Sequence, residues 1–334
     1  MKKIILIMSL IGLTVNCKKE NIIMQNNNIT TENLVSNIVK EIKHYDTEPI
    51  YIMGYTNNYT FFDVTINDRK VYSYFDDENS GSSSGFDINP NILKSGKYNL
   101  KYKMYPIGKV KYDKENYGTL IPETYLKLDL GSYDLKNKSK GETKHTSYKT
   151  PMNKVQISEK YSEEKFVGAG KTYYEGSFDI EVQVPYEIHP AFEKAKDLRK
   201  MDKKELEAKL LSAYQKVWNI YQNKEYDNIA KISFDSMKDE LVSKYASKEE
   251  VAEYWNYLLT AYKSNTFQMQ PIKDYKLEFF ADGKLVALML TTKDNNYRGN
   301  TALWARVNHD GGMRPLFLNS YFYIPEGETE FKVY

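Results

Sequence analysis

Gly81-Ser82-Ser83-Ser84-Gly85 satisfies the letters of the G-x-S-x-G elbow, in which a serine is held on a strained turn between a strand and a helix. A strand-like run precedes it, but Phe86-Asp87-Ile88-Asn89-Pro90 follows and no long helical pattern does. Low-complexity Ser/Gly of this kind reads as a loop. The same stretch spaces oxygen ligands as a calcium loop does, with Asp76, Glu78 and Ser80 at positions one, three and five, Gly81 at six and Asp87 at twelve. Such a loop needs a bidentate Glu at twelve and an apolar residue at eight, where this chain has Asp87 and Ser83. The expectation is a solvated acidic hairpin loop, with Asp76, Glu78 and Asp87 the only metal ligands the sequence offers.

Other chemistry is thin. The four histidines, at 44, 145, 189 and 309, do not pair at zinc-ligand spacing. No phosphate-binding motif stands out, and no cofactor is expected. Lys94 to Tyr112 holds six lysines interleaved with tyrosines and no acid. Charge plus stacking of that kind suits an anionic glycan or a lipid headgroup, which makes Lys97, Lys101 and Lys103 candidate binding residues. Their alternation with Tyr98, Leu100, Tyr102 and Met104 also fits the solvent face of one strand. Tyrosine is frequent, at 30 residues. That suggests a glycan-facing surface, but an AT-rich genome also favours Tyr, Lys, Asn and Ile.

The elements that would position these residues fall into two blocks. From about Glu48 the hydrophobic period is two. FFDVTINDRKVYSYF holds two alternating runs around Asn67-Asp68, a hairpin signal. GKYNLKYKMYP, TYLKLDLGSY and GSFDIEVQVPYEI each put apolar residues on one face. Such strands belong in antiparallel sheets, so residues 46–187 are expected to form an antiparallel β-sandwich. Past Pro185 and Pro190 the period becomes helical. Asp202 can cap a helix striped by Leu206, Leu210, Tyr214, Val217 and Tyr221. A second helix spans about 227–245, and a third opens with the capping box Ser247…Glu250. YKLEFFADGKLVALML, with Asp282-Gly283 at its turn, then TALWARV and PLFLNSYFYIP, return to strands. Residues 190–334 are thus expected to be a three-helix plus four-stranded antiparallel sheet, an α+β domain. This order of elements loosely resembles the NTF2-like cone. The fold class is mostly β plus α+β.

At the N-terminus, Met-Lys-Lys precedes an apolar run from Ile4 to Val15. It is too short to span a bilayer as a helix and has the basic and hydrophobic regions of a secretory signal. Cys17, the one cysteine of the chain, follows after Asn16. Leu13-Thr14-Val15-Asn16-Cys17 resembles the lipobox of a bacterial lipoprotein of the loose Bacteroidota type, although Asn16 stands where Gly, Ala or Ser is usual. The resemblance implies that residues 1–16 are a removed signal, that Cys17 carries lipid, and that the protein is an exported outer-membrane lipoprotein, periplasmic or on the cell surface. Residues 17–45 read as a polar tether and a short helix, with Leu34, Ile38, Val39 and Ile42 on one side of the helix.

A single cysteine allows no internal disulfide. The chain carries 47 basic and 45 acidic residues. Losing residues 1–16 removes Lys2 and Lys3 and leaves the two counts equal, which argues against nucleic acid as a partner. The sequence favours a membrane-anchored protein with a non-enzymatic binding role and a protein or glycan partner. A hydrolase-type enzyme with a pocket in the C-terminal domain, and a membrane-tethered toxin-immunity protein, stay open beside it.

Overall fold

The structure, a computed structural model, describes residues 23–76, 80–111, 115–309 and 311–334. The signal segment, Cys17 and Glu78 lie outside the described residues.

After α1 (Leu34–Glu41) come β1 (Pro49–Asn58), β2 (Phe61–Ile66), β3 (Arg69–Tyr74), β4 (Gly81–Asp87) and β5 (Gly96–Tyr105). The two-residue strands β6 (Gly108–Lys109) and β7 (Asn116–Tyr117) pair with each other. Then follow β8 (Tyr125–Asp134), β9 (Thr143–Lys149), β10 (Met152–Ser158), β11 (Tyr161–Phe166) and β12 (Tyr174–Val182). Two antiparallel four-stranded sheets form, in the orders β4-β1-β8-β9 and β12-β5-β2-β3. Their inner faces supply one core, in which Met53, Phe62, Val64, Leu100, Met104, Leu126 and Leu128 are fully buried. The period-two reading of β5 holds: Tyr98, Leu100, Tyr102 and Met104 are inside, while Lys97, Lys101 and Lys103 face out. Asn67 and Asp68 both take positive φ, at 47° and 58°, as a two-residue hairpin turn requires. The strands β10 and β11 form a separate two-stranded arm.

Gly81–Asp87 is strand rather than loop, paired along its length with β1. It has no apolar alternation because it is an outer strand whose Ser83, Ser84 and Gly85 are exposed; only Phe86 reaches the core.

The second unit has α2 (Lys203–Gln222), α3 (Tyr226–Ser243) and α4 (Lys248–Lys263). Asp202 caps α2, accepting from the Lys204 and Glu205 amides, and Ser247 with Glu250 closes a full capping box on α4. Next come β13 (Gln268–Met269), β14 (Tyr275–Phe280), β15 (Leu285–Leu290), β16 (Trp304–His309), β17 (Gly312–Phe317), β18 (Phe322–Tyr323) and β19 (Lys332–Val333). The expected single sheet is two. A four-stranded sheet runs β14-β15-β18-β19, and the β16–β17 hairpin joins β13 in a three-stranded one. A lone bridge between Met289 and Thr301 links them.

The segment read as a tether is docked from Ile23 onward. Ile23, Ile29, Leu34 and Ile38 belong to the core of the second unit, with Trp255, Tyr214 and Phe322. The polar residues between them serve the backbone of their neighbours. Gln25 accepts from the Val333 amide at 2.8 Å and donates to the Val333 carbonyl at 3.1 Å. Asn26 donates to the Lys231 carbonyl, the Thr31 amide donates to Asp227, and Trp255 Nε1 donates to the Thr31 carbonyl.

The units meet at several places, two of them the end of α3 and the β2–β3 hairpin. At the first, α3 ends in a Schellman turn, with Ala246 N donating to Leu241 O and Tyr245 N to Val242 O. The left-handed position, φ 54°, is filled by Tyr245, where glycine is usual. Its ring enters the sandwich core between Tyr45 and Tyr186. Beside it, buried Asn89 donates to the Ser243 carbonyl at 2.9 Å. At the second, Arg69 from the β2–β3 hairpin lies over the rings of Phe192 and Tyr334 and donates to the Pro90 carbonyl.

Tyr334 also donates to Asp239, a buried α3 carboxylate, at 3.0 Å. Burial raises the Asp239 pKa; Lys238, 3.2 Å away, and Tyr334 pull it back. A folded-state pKa above the unfolded one means that stability from this group is full below the unfolded value of about 3.9 and is lost as pH rises through the folded value. Asn in its place can still meet both neighbours. Asp239→Asn is therefore expected to raise Tm at pH 7 by about 2 °C and to leave it unchanged at pH 4. Calorimetry at the two pH values checks this; equal shifts at both would remove Asp239 as the source.

Candidate functional site

The serine elbow does not form. Ser83 sits mid-strand, exposed, with its hydroxyl donating to Thr56 Oγ1 at 3.0 Å. The calcium pattern is pulled straight for the same reason. A strand rises about 3.3 Å per residue, so Ser82 and Asp87 stand far apart where a wrapped loop would bring positions seven and twelve to one ion. Asp87 instead accepts from the Asn89 amide and pairs with Lys244 at 3.4 Å. Among the described residues no three of His, Cys, Asp and Glu are grouped to hold a metal.

The candidate lysines share one sheet face but do not form a bare cationic patch. Lys101 donates to Asp68 at 2.7 Å and Lys97 stands 3.7 Å from Asp179. Lys103 lies opposite Glu175 on one side and Asp63 on the other. Exposed pairs of this kind contribute little to stability, yet they neutralise the face. The tyrosines are mostly inside: Tyr55, Tyr72 and Tyr74 cluster with Phe62 and Phe86, and Tyr72 stacks on Phe86 at 4.5 Å. His145 meets Ser132 at 2.7 Å, but its ring is exposed at the sheet edge and no carboxylate orients it among the described residues. A nucleophile–base pair needs that third group.

Two clefts of about 1110 Å³ each open where the units face one another, and both are lined by Lys70, Phe75, Met289, Arg298 and Gly299. These residues form a bridge with a cleft on either side. Gly299 takes φ +76°, and a Cβ there would stand 3.0 Å from both Lys70 Nζ and the Phe75 ring, so the contact requires glycine. The Lys70 ammonium donates to the Gly299 carbonyl and lies 3.9 Å from Asp63. Arg298 is clamped between Phe75 and Tyr105, its guanidinium carbon 4.4 and 4.5 Å from the ring centres. Burial lowers the pKa of both cations, with Asp63 opposing in each case. Asp63 already accepts from Ser73 and, at 3.0 Å, from Tyr105.

Comparison with protein-family models, curated proteins and solved structures finds no match to this chain.

The first cleft is rimmed by β3, β4 and the stretches 295–301 and 319–321. Aromatic rings, amides and hydroxyls dominate its lining; Asn296, Asn300, Asn319, Ser82 and Tyr321 are among them. Tyr74 lines it too, 6% exposed, with its hydroxyl buried beside Ser82. Burial pushes the Tyr321 hydroxyl up to about 12, so it stays a neutral donor and acceptor at physiological pH. The second cleft runs along the outer face of β5 and carries six basic and four acidic side chains, including Lys101 and Lys103 but not Lys97. Of the residues singled out in the sequence, Asp76 and Ser82–Ser84 line the first cleft and two lysines line the second. Lys70, Phe75, Tyr105 and Arg298 have no signal: each stands in an ordinary strand or loop, and the site exists only once residues about 190 or more apart in sequence meet.

Proposed function

We propose that this chain is a lipid-anchored envelope protein that binds a glycan in the cleft between its two units, without a chemical step of its own. The observation that carries the binding role is the first cleft. Its lining offers aromatic faces with many small neutral donors and acceptors, the composition that suits a ligand rich in hydroxyl groups. The anchor rests on the apolar run ending at Cys17 and on its resemblance to a lipobox. An outer-membrane position follows from that resemblance. Among the described residues no helix is long and apolar enough to cross a membrane.

A protein partner is the second reading. The β10–β11 arm favours it, because Ile157 and Tyr161 are 50% and 55% exposed there. A glycan array probed with the full chain tests the first reading; retention of glycans that is lost on Tyr74→Trp, which fills the cleft, is the expected result. Capture of an envelope protein that Tyr74→Trp leaves intact would favour the second. For the anchor, Cys17→Ser is expected to move the protein from the detergent-rich to the aqueous phase in cell fractionation. Unchanged partitioning would sink the lipid claim. Protease digestion of intact cells then separates surface from periplasm.

A further inference from the structure

We infer that the ligand of the first cleft is an acidic glycan, whose carboxylate or sulfate is received by Arg298 with Lys70 beside it. This deepens the glycan reading and rests on it.

The argument starts from unmet hydrogen-bonding capacity. A guanidinium has five N–H donors in a fixed plane. The Arg298 guanidinium makes no hydrogen bond to any other described residue; its contacts are the two aromatic faces of Phe75 and Tyr105. Stacking fixes the plane and leaves its edge, where the N–H groups point, unsatisfied. That is the geometry in which arginine meets a carboxylate or a sulfate with two parallel hydrogen bonds.

Charge points the same way. Lys70 and Arg298 line the same wall of both clefts, and among the described residues Asp63 is the one carboxylate within 4 Å of Lys70. Asp63 also serves Ser73 and Tyr105. Asp63 acts on both partly buried cations and Glu278 acts on Lys70, but Asp63 is shared and Glu278 is paired with Lys276, and a partly buried charge that is incompletely compensated is destabilising. A bound anion would complete the set. The lowered pKa values of both cations fit an incompletely compensated pair.

The rest of the cleft distinguishes a sugar from a bare anion. Asn300, Asn319 and Tyr321 line the same cleft as Arg298 and offer neutral amide and hydroxyl groups. A simple inorganic anion at Arg298 leaves these groups unused, whereas a sugar ring extending from an acidic group brings hydroxyls to them.

The test is a panel of uronic-acid, sialylated and sulfated oligosaccharides, each beside its methyl-esterified, reduced or desulfated counterpart, titrated against the full chain. The expected result is selection of acidic over neutral members by about tenfold or more, the scale of one charge-assisted bidentate contact. Arg298→Gln is expected to abolish that preference and Arg298→Lys to keep part of it; unchanged circular dichroism shows that each variant is folded. The uronate and sulfate arms identify which anion is recognised. For the wild-type chain alone, acid-selective binding that weakens as salt rises supports the inference without any variant. Equal binding of acidic and neutral members overturns it while leaving the glycan reading in place. Binding of no member overturns both.

Discussion

A chain reduced to residues 190–334 is expected to lose its cooperative unfolding transition, even though it holds all three long helices and both C-terminal sheets. The missing part is 23–41. Leu34 and Ile38 are completely buried on α3 and α4, and Ile23 and Ile29 fill the same core. A buried Leu or Ile cut to Ala costs about 2–5 kcal/mol. Losing four such side chains is comparable to the whole stability of a domain, about 5–15 kcal/mol. The milder form of the experiment keeps the chain intact. Leu34→Ala with Ile38→Ala should lower the stability of the second unit by about 5 kcal/mol or more, measured by urea titration of tryptophan emission. Trp255, now 2% exposed and tied to Thr31, reports on the site directly and should shift to the red. A double variant within 1 kcal/mol of the parent would mean that α1 merely rests on the surface.

The second large effect is expected at Tyr245. Its ring is the plug that α3 delivers into the sandwich, so Tyr245→Ala should cost about 3–5 kcal/mol and split one unfolding transition into two. The backbone adds an ordering to the prediction. A left-handed residue other than glycine carries about 1 kcal/mol of strain, so Tyr245→Gly should be less damaging than Tyr245→Ala by about that amount. Among the described residues the Tyr245 hydroxyl is buried without a hydrogen-bond partner. An unsatisfied buried hydroxyl costs about 1–3 kcal/mol, and Tyr245→Phe should leave the protein as stable as the parent or more so. The expected series is Phe, then Tyr, Gly and Ala. If Ala matched Gly, the strain argument would fail; if Phe fell below Tyr, the hydroxyl would have a partner after all. Calorimetry and denaturant titration of the four proteins decide it.

Much of the framework is legible from residue types alone. Alternation in β5 and the Asn67-Asp68 turn reflect local rules that tertiary packing does not override. The caps at Asp202 and Ser247 do as well. What stays hidden has physical reasons. Gly81–Asp87 reads as a loop because an outer strand takes its pairing from β1 and needs no apolar face of its own. Residues 23–29 read as a tether because Gln25 and Asn26 are polar, although their amides are spent on neighbouring backbone rather than on water. The strands near residues 304–317 look continuous with the preceding hairpin in sequence, yet they join β13 instead. The cleft leaves least trace, since an arginine between two aromatic rings has no spacing rule. The lysine stripe carried the opposite lesson: its charge pattern was plain, but the acids that neutralise it lie on other strands.

The amide of Gln25 has one more consequence. The outward N–H and C=O of Val333 would otherwise offer a template to which another chain could add a strand. A single side chain meets both groups and presents no ladder of its own, so growth of the sheet stops there. The closure is also uncharged, so neither acid nor salt should loosen it, and crowded copies of the protein would not polymerise through this edge.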